Sequence, residues 1–179
     1  HQLLQGKTAI VTGAASGLGH AIAALFHDQG ARVIVADLNG EAAEAVAATL
    51  GGDAHAVQAD VASEASIRAL VDTTVSRFGA IDVLVNCAGV PQVYTAIEDL
   101  DERHWDRILG VNAKSIFLAC KHVVPHMKQA GGGTIVNIGS IVGVRPKPGQ
   151  NAYCASKAAT IALSQSLALE LASSHIRAN

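Results

Sequence analysis

Aromatic side chains are scarce in this sequence, although apolar residues are abundant. Phe, Trp and Tyr make up 3% of the 179 residues, whereas 50% are hydrophobic. The core must therefore be built from Val, Ile, Leu and Ala. That composition is common in parallel α/β sheets, whose strands are buried on both faces. The length and apolar content predict a single domain, residues 1–179, with a sizeable core.

Charge clusters and long apolar runs are also missing. The formal net charge is -2, and Lys and Arg do not cluster. This balance predicts neither nucleic acid nor an anionic membrane as a partner. Because no apolar run reaches membrane-spanning length and no signal peptide is visible, we expect no membrane segment.

Cysteine is rare and its spacing is uninformative for metal or redox chemistry. Cys87, Cys120 and Cys154 are scattered and odd in number, which favours reduced thiols and a cytoplasmic protein. His122 and His126 are four residues apart, but no third ligand is evident, so we predict no metal site.

Short apolar runs alternate with helical patterns along the chain. The predicted strands are Lys7–Thr12, Arg32–Ala36, His55–Ala59, Ile81–Val85 and Thr134–Ile138, with Ile176–Asn179 opening a sixth. Two long helices are predicted at about 102–127 and 152–172. This alternation predicts a doubly wound parallel sheet, the Rossmann fold.

Polar or small residues follow each predicted strand. They are Asp37, Asp60, Asn86, Ser140 and the turn that starts at Gly13. Ligands of doubly wound folds bind beyond the carboxyl ends of the strands. We therefore expect these residues to share one site.

The segment Gly13–Gly19 links the first strand to the first helix. Missing side chains let its backbone approach a pyrophosphate, which the helix N-terminus favours. The turn includes Ser16 and Leu18, and its Gly13-x-x-x-Gly17-x-Gly19 spacing differs from the GxGxxG fingerprint. Tight packing of strand against helix is the alternative explanation.

Asp37 ends the second strand and predicts which dinucleotide binds. Its carboxylate can accept hydrogen bonds from both hydroxyls of an adenosine ribose and would repel a 2'-phosphate. No Arg or Lys at Ala14, Ala15, Ser16 or Leu38 offsets that charge. The sequence therefore favours NAD over NADP.

Tyr153 and Lys157 lie four residues apart near the start of the last long helix, so they share one face. A neighbouring ammonium favours the phenolate form of a tyrosine and prepares it for proton transfer. Alone, the pair is more typical of an ordinary helix surface. A polar stripe continues from it along the same face, through Ser156, Thr160 and Ser164.

Together these motifs resemble the short-chain dehydrogenase/reductase family, over essentially the whole chain. Within it, the sequence is similar to the group that contains 3-oxoacyl-(acyl-carrier-protein) reductases and glucose 1-dehydrogenases. The resemblance implies a homotetramer. It also implies further C-terminal strands and a substrate lid, which this sequence lacks.

The resemblance also implies a role for each matching residue. Asp60 and Val61 would contact adenine, Asn112 would kink a helix and hold a water, and Ser140, Tyr153 and Lys157 would be catalytic. Asn86, Ala88 and Gly89 match an Asn-Asn-Ala-Gly signature in which Cys87 replaces the second Asn. The predicted cofactor contacts are Gly13, Ser16, Gly17, Leu18, Gly19, Asp37, Leu38, Asp60, Val61, Asn86, Ala88, Gly89, Tyr153 and Lys157.

The chemistry of these side chains agrees with such roles. Ser140 would orient a substrate oxygen, and Tyr153 would exchange a proton with it. Lys157 would favour the tyrosinate and hold the nicotinamide ribose, and Asn112 would support a water chain. Gln150, in the loop before the tyrosine, is a candidate substrate contact.

We therefore expect an NAD(H)-dependent oxidoreductase that interconverts a secondary alcohol and a ketone. Two alternatives stay open: an NADPH-dependent 3-oxoacyl-(acyl-carrier-protein) reductase, and a non-catalytic NAD-binding regulatory protein. Asp37 counts against the first. The presence of Ser140, Tyr153 and Lys157 together counts against the second.

Overall fold

The computed structural model describes residues 2–179 and contains one six-stranded parallel sheet. The strands are β1 (Thr8–Thr12), β2 (Arg32–Asp37), β3 (Ala54–Gln58), β4 (Val83–Asn86), β5 (Gly133–Asn137) and β6 (Ile176–Ala178). Their order across the sheet is β3-β2-β1-β4-β5-β6. This order is that of the dinucleotide-binding Rossmann fold, so the predicted fold class is confirmed.

Six α-helices within residues 2–179 flank the sheet. They are α1 (Gly17–Asp28), α2 (Gly40–Leu50), α3 (Glu64–Phe78), α4 (Glu102–Leu109), α5 (Ser115–Gln129) and α6 (Asn151–Leu171). Local chemistry explains several of the helix ends. Asn39 caps α2 by accepting a hydrogen bond from the Ala42 amide at 3.1 Å, and Gly79 ends α3 in the left-handed conformation.

Both faces of the sheet are buried, because alternate residues of the apolar strands point to opposite sides. Ile10, Ile34 and Leu84 pair across neighbouring strands and belong to a core with residues from α3 and α5. Val11 and Val35 belong to the other core, with residues from α1 and α2. Within residues 2–179, no aromatic residue is among the buried members of either core, although Phe78 and Phe26 pack against them as partly buried residues.

The structure corrects one expectation about chain segments and confirms another. The helix predicted over 102–127 is divided by a π-helical turn at Gly110–Lys114, which separates α4 from α5. The expected sixth strand is formed, since Ile176–Ala178 pairs in parallel with β5. None of the helices within residues 2–179 combines the length and apolar character that crossing a bilayer requires.

The strand order places β1 beside β4, at the point where the chain reverses its direction of progress across the sheet. Loops that leave these two strands diverge to opposite sides, so a crevice opens at their carboxyl ends. The glycine turn follows β1, and the Cys87–Gly89 segment follows β4.

Candidate active site

The turn between β1 and α1 packs directly against the loop after β4. Gly13 and Gly17 have φ values of +67° and +54°, which side chains disfavour. A Cβ on Gly13 would lie 2.8 Å from Cα of Ala88, and a Cβ on Gly19 would overlap the carbonyl oxygen of Gly13. Gly13 therefore permits an approach between the two loops that no larger residue allows, and Gly19 permits the tight turn itself.

The first turn of α1 presents backbone N–H groups to the crevice. Ser16 is the N-cap residue and is extended, with φ −157° and ψ 169°, and its side chain makes no capping hydrogen bond within residues 2–179. No acidic residue lies in that first turn. Such a helix end carries unpaired donors and a partial positive charge, so it suits a phosphate group.

Asp37 fixes the neighbouring wall of the crevice. Its Oδ2 accepts a hydrogen bond from the backbone N–H of Ala15 at 3.0 Å, and its Oδ1 accepts one from the N–H of Asn39 at 3.0 Å. A carboxylate oxygen can accept more than one hydrogen bond. The half-buried carboxylate thus holds the glycine turn and retains acceptor capacity towards the crevice.

These elements enclose a cleft of about 560 Å³. Most of the predicted cofactor and catalytic residues line it: Gly13, Ser16, Gly17, Leu18, Gly19, Asp37, Leu38, Asp60, Val61, Ala88, Gly89, Tyr153 and Lys157. Asn86, Asn112, Ser140 and Gln150 are not among the lining residues.

The sequence did not identify several other residues that line the cleft. They are Ala59, Cys87, Val90, Pro91, Arg107, Val111, Ile138 and Gly139. Val90 and Pro91 directly follow the Cys87–Gly89 segment, so their position after a strand was a usable signal. Arg107 offered no such signal, because it reaches the cleft through the tertiary placement of α4.

Tyr153 and Lys157 lie side by side in the first turns of α6. The Lys157 Nζ lies 5.8 Å from the centroid of the Tyr153 ring and donates a hydrogen bond to the Ile138 carbonyl at 2.6 Å. Only 7% of Lys157 is exposed. Burial lowers the pKa of this lysine, and the nearby Cys87 thiol opposes that effect.

The polar stripe of α6 faces the interior, not the solvent. Ser156, Lys157 and Thr160 are all buried. The Ser156 hydroxyl accepts a hydrogen bond from Asn112 Nδ2 at 3.0 Å, and the Thr160 hydroxyl donates to the Asn112 carbonyl at 3.3 Å. The stripe thus attaches α6 to the π-helical turn.

Asn112 lies in that turn, and both the oxygen and the nitrogen of its side-chain amide are hydrogen-bonded within the protein. Its Oδ1 accepts from the Val90 N–H at 2.8 Å, and its Nδ2 donates to the Val90 carbonyl at 3.0 Å as well as to Ser156. A Cβ on Gly89 would contact both Asn112 Oδ1, at 3.5 Å, and Lys157 Nζ, at 3.9 Å. Asn112 and Lys157 therefore lie close to the same glycine, and the water chain between them stays a prediction.

Ser140 and Gln150 lie in the loops around β5 and α6. The Ser140 Oγ accepts a long hydrogen bond of 3.4 Å from the Val142 N–H. This contact leaves the hydroxyl hydrogen of Ser140 free to donate a hydrogen bond. The Gln150 side chain donates to the carbonyl of Gln92 at 3.2 Å. Contact of either residue with a substrate stays a prediction.

A buried chain of amides and a hydroxyl supports the site from below. Asn86 Nδ2 donates to Asn137 Oδ1 at 2.8 Å, and Asn137 Nδ2 donates to the Ser164 hydroxyl at 2.9 Å. The chain joins β4, β5 and α6. Asn86 thus lies under the cleft, and Asn137, which ends a buried strand just as Asn86 does, was missed for lack of a recognised motif.

The cleft fits a dinucleotide by its own chemistry. Its lining combines a glycine backbone with a helix end that has free donors, an acceptor carboxylate, and the Tyr153–Lys157 pair. A nicotinamide dinucleotide has phosphates, ribose hydroxyls and a reactive ring that suit these three features.

Elsewhere, His122 is paired with a carboxylate, since its Nε2 lies 3.1 Å from Glu64 Oε1, where Lys121 also binds. Within residues 2–179, no group of three His, Cys, Asp or Glu residues could hold a metal ion.

Comparison with known proteins gives a consistent assignment. Residues 7–179 match the family model described as short chain dehydrogenase. The chain is 45% identical to a D-threitol dehydrogenase from Mycolicibacterium smegmatis, with 98% of this chain and 68% of the relative covered. It is 42% identical to a 2-(R)-hydroxypropyl-CoM dehydrogenase from Xanthobacter autotrophicus, with 97% and 72% covered.

A solved structure shares the fold. The crystal structure of a 3-ketoacyl-(acyl-carrier-protein) reductase from Brucella melitensis, complexed with NADH, superposes with a TM-score of 0.94 at 38% identity. The alignment covers 98% of this chain and 73% of the reductase. With the strand order, the glycine turn and the family match together, the chain belongs to the short-chain dehydrogenase/reductase family of oxidoreductases.

Proposed function

We propose that this protein is an NAD(H)-dependent oxidoreductase that interconverts a secondary alcohol and a ketone. One observation carries the proposal: a single cleft is lined by the glycine turn, by Asp37 and by the Tyr153–Lys157 pair. A binding module would need the first two features only. A proton-transferring phenol beside a buried lysine adds a reaction to the binding site.

Several residues would hold the cofactor. The N–H groups at the start of α1 would bind its phosphates, and the carboxylate of Asp37 would accept from the adenosine ribose. Lys157 would hold the second ribose. When bound, the nicotinamide would supply or accept the hydride of the reaction.

Tyr153 is the proposed general acid and base. In the oxidation direction its phenolate accepts the hydroxyl proton, and in the reduction direction its phenol returns a proton to the ketone oxygen. The Lys157 Nζ lies 5.8 Å from the centroid of the Tyr153 ring, so a cationic side chain stands beside the phenol. Ser140 would orient the substrate oxygen through its hydroxyl.

Asp37 supports NAD over NADP, because a carboxylate that accepts hydrogen bonds from the ribose hydroxyls also repels a 2'-phosphate. The structural relative from Brucella melitensis was crystallised with NADH. Its name, 3-ketoacyl-(acyl-carrier-protein) reductase, makes reduction of a 3-oxoacyl thioester the second candidate reaction. A 3-oxoacyl reductase that used NADPH would have to bind it in spite of Asp37.

The substrate screen should begin with small polyols, given the similarity to a D-threitol dehydrogenase. The full-length protein would be assayed by NADH absorbance with D-threitol, related diols and a 3-oxoacyl thioester. We expect turnover with one class of alcohol. The absence of turnover with intact NADH binding would favour the non-catalytic, NAD-binding regulatory alternative.

The Tyr153→Phe variant tests the chemical assignment. Removing the general acid and base should lower kcat by about 10²- to 10⁴-fold with little change in NADH affinity. Tyr94→Phe is the matched control, since the sequence has two tyrosines and Tyr94 is 72% exposed. Near-normal turnover by Tyr153→Phe, on a substrate that the wild-type protein uses, would refute the assignment.

The homotetramer and the cytoplasmic location stay predictions. The three cysteines are free thiols. Thiols that are neither paired nor clustered are typical of a reducing compartment, which supports the predicted location.

A further inference from the structure

Helix α6, which carries Tyr153, has no cap from its own N-terminal residue. Gln150 is the N-cap residue, and its side chain caps nothing within residues 2–179, because it donates to the Gln92 carbonyl instead. The first N–H groups of a helix have no intrahelical acceptor. Tyr153 is the third residue of α6, the position whose N–H a capping side chain ordinarily satisfies.

Gln92 supplies the missing acceptor from another part of the chain. Its Oε1 accepts a hydrogen bond from the backbone N–H of Tyr153 at 3.0 Å, across 61 residues of sequence. Gln92 is 3% exposed, so water does not compete for this bond. The cap therefore acts on the same residue that we propose as general acid and base.

The loop that carries Gln92 is attached to α6 at two further points. The Gln92 carbonyl accepts from Gln150 Nε2 at 3.2 Å, and the Thr95 N–H donates to the Gly149 carbonyl at 2.9 Å. The loop after β4 and the segment before α6 thus form one joint. Gln92 is the member of that joint that contacts the backbone of Tyr153.

The nitrogen of the Gln92 side-chain amide shows that the oxygen is the functional atom of this side chain. Its Nε2 is buried and has no hydrogen-bond partner among residues 2–179. A buried donor without a partner is unfavourable, and an apolar side chain of the same size would avoid that cost. The opposite amide orientation would place two N–H donors against each other. The hydrogen bond from the Tyr153 backbone N–H to Gln92 Oε1 is therefore the contact that accounts for a glutamine at this position.

We propose that Gln92 is a positioning residue, which holds the first turn of α6 and so sets the location of the Tyr153 phenol in the cleft. The inference rests on the function proposed above for Tyr153. Displacing a reacting group by about 1 Å can cost roughly 100-fold in rate. A cap that acts on the backbone of the reacting residue therefore affects turnover beyond its effect on stability.

Two variants of Gln92 separate the acceptor from the volume of the side chain. Gln92→Met keeps the length and removes the oxygen, whereas Gln92→Glu keeps an oxygen at the same reach. Ser63→Ala is the matched control, because Ser63 caps α3 by accepting from the Ser66 N–H at 3.4 Å, in a helix that carries no proposed catalytic residue. All variants would be made in the full-length protein.

Two readouts are needed: kcat and the cofactor KM, on the alcohol identified in the screen above, and hydrogen exchange at the Tyr153 amide. For Gln92→Met we expect kcat to fall about tenfold or more at an unchanged cofactor KM. The Tyr153 amide should exchange roughly fivefold faster. Gln92→Glu should recover most of both losses, and Ser63→Ala should change neither.

The proposal is wrong if Gln92→Met keeps kcat within twofold of the wild type, or loses it with exchange at Tyr153 unchanged. It is also wrong if Gln92→Glu is as impaired as Gln92→Met at equal thermal stability. Failure of the proposed function looks different, since Tyr153→Phe would then retain turnover. Without any turnover, amide exchange alone decides: unchanged exchange in Gln92→Met rejects the cap, and faster exchange supports it.

Discussion

Asp37 has one structural role and one proposed binding role, and substitutions can separate them. It holds the glycine turn through Ala15 and the start of α2 through Asn39, with both hydrogen bonds at 3.0 Å. It is also the proposed acceptor for the adenosine ribose. Asp37→Ala removes both tasks, whereas Asp37→Asn keeps one acceptor oxygen for the turn and removes the charge.

The two backbone bonds set the expected loss of stability. A hydrogen bond to a charged group contributes about 1.5–3 kcal/mol when it is shielded, and Asp37 is half-buried, so the lower end applies. For Asp37→Ala we expect about 2–3 kcal/mol, which corresponds to a decrease in Tm of roughly 4–12 °C in a chain of this size. Asp37→Asn should lose about half as much, because one of the two bonds survives.

Cofactor discrimination should follow the charge and not the stability. Loss of the ribose hydrogen bonds is worth about 2 kcal/mol, or roughly 30-fold in the Kd for NADH. Removal of the negative charge should at the same time strengthen NADPH binding. Both variants should therefore lower the preference for NADH by at least about 30-fold, although Asp37→Asn remains closer to the wild type in Tm.

Fluorescence titration with NADH and NADPH, alongside thermal melting, measures both effects. An unchanged NADH-to-NADPH preference in both variants would refute the role of Asp37 in selecting the cofactor. An unchanged Tm in Asp37→Ala would refute its role in holding the turn. Wild-type protein that binds NADPH more tightly than NADH would overturn the NAD assignment itself.

Two further substitutions test the cradle and the buried lysine. Gly19→Ala should destabilise the fold by about 1–3 kcal/mol and abolish NADH binding, because its Cβ would overlap the Gly13 carbonyl. Gly110→Ala is the control for melting and titration, since its Cβ would have its nearest neighbour at 3.9 Å. Equal behaviour of the two variants would contradict the proposed role of the glycine turn in binding NADH. Lys157→Met should abolish turnover yet raise the Tm near neutral pH, because it removes the cost of burying a charged ammonium. Since burial lowers the pKa of Lys157 below its usual 10.5, the unfolded wild-type chain binds more protons in the interval between the two values, so wild-type stability rises with pH there. The Tm advantage of Lys157→Met should therefore shrink as the pH approaches 10.5, and an advantage that grew with pH would contradict this account.

The strands and most helices were predictable from sequence, because apolar runs and glycine stops are local signals. Asn39, Ser63 and Gly79 lie where local capping rules place them. The interruption of the helix at Gly110–Lys114 was not predictable from periodicity, because the contacts of Asn112 with Val90 and Ser156 that accompany it come from distant segments. Only the family resemblance gave a reason to expect a kink there.

Most of the predicted cofactor residues line the cleft, whereas the predicted substrate residues Ser140 and Gln150 do not. The glycine turn and Asp37 are marked by local signals, a glycine-rich turn after one strand and a carboxylate at the end of the next, which the sequence displays directly. Gln92 and Asn137 work through partners 61 and 51 residues away, and a single polar residue in a loop or strand carries no pattern that reveals such a partner. Arg107 was missed for the same reason.

The contact between Gly13 and Ala88 has a consequence for folding. The cleft has two walls that meet only when β1 pairs with β4, and these strands are far apart in sequence. A chain in which this pairing has not formed has no dinucleotide site, so the cofactor should bind only the folded sheet. Binding is then linked to folding by mass action, and cofactor at 100 times its Kd should add about 2.7 kcal/mol of stability. The same nucleotide that serves the reaction would thereby protect this long-range pairing, which parallel topologies form slowly.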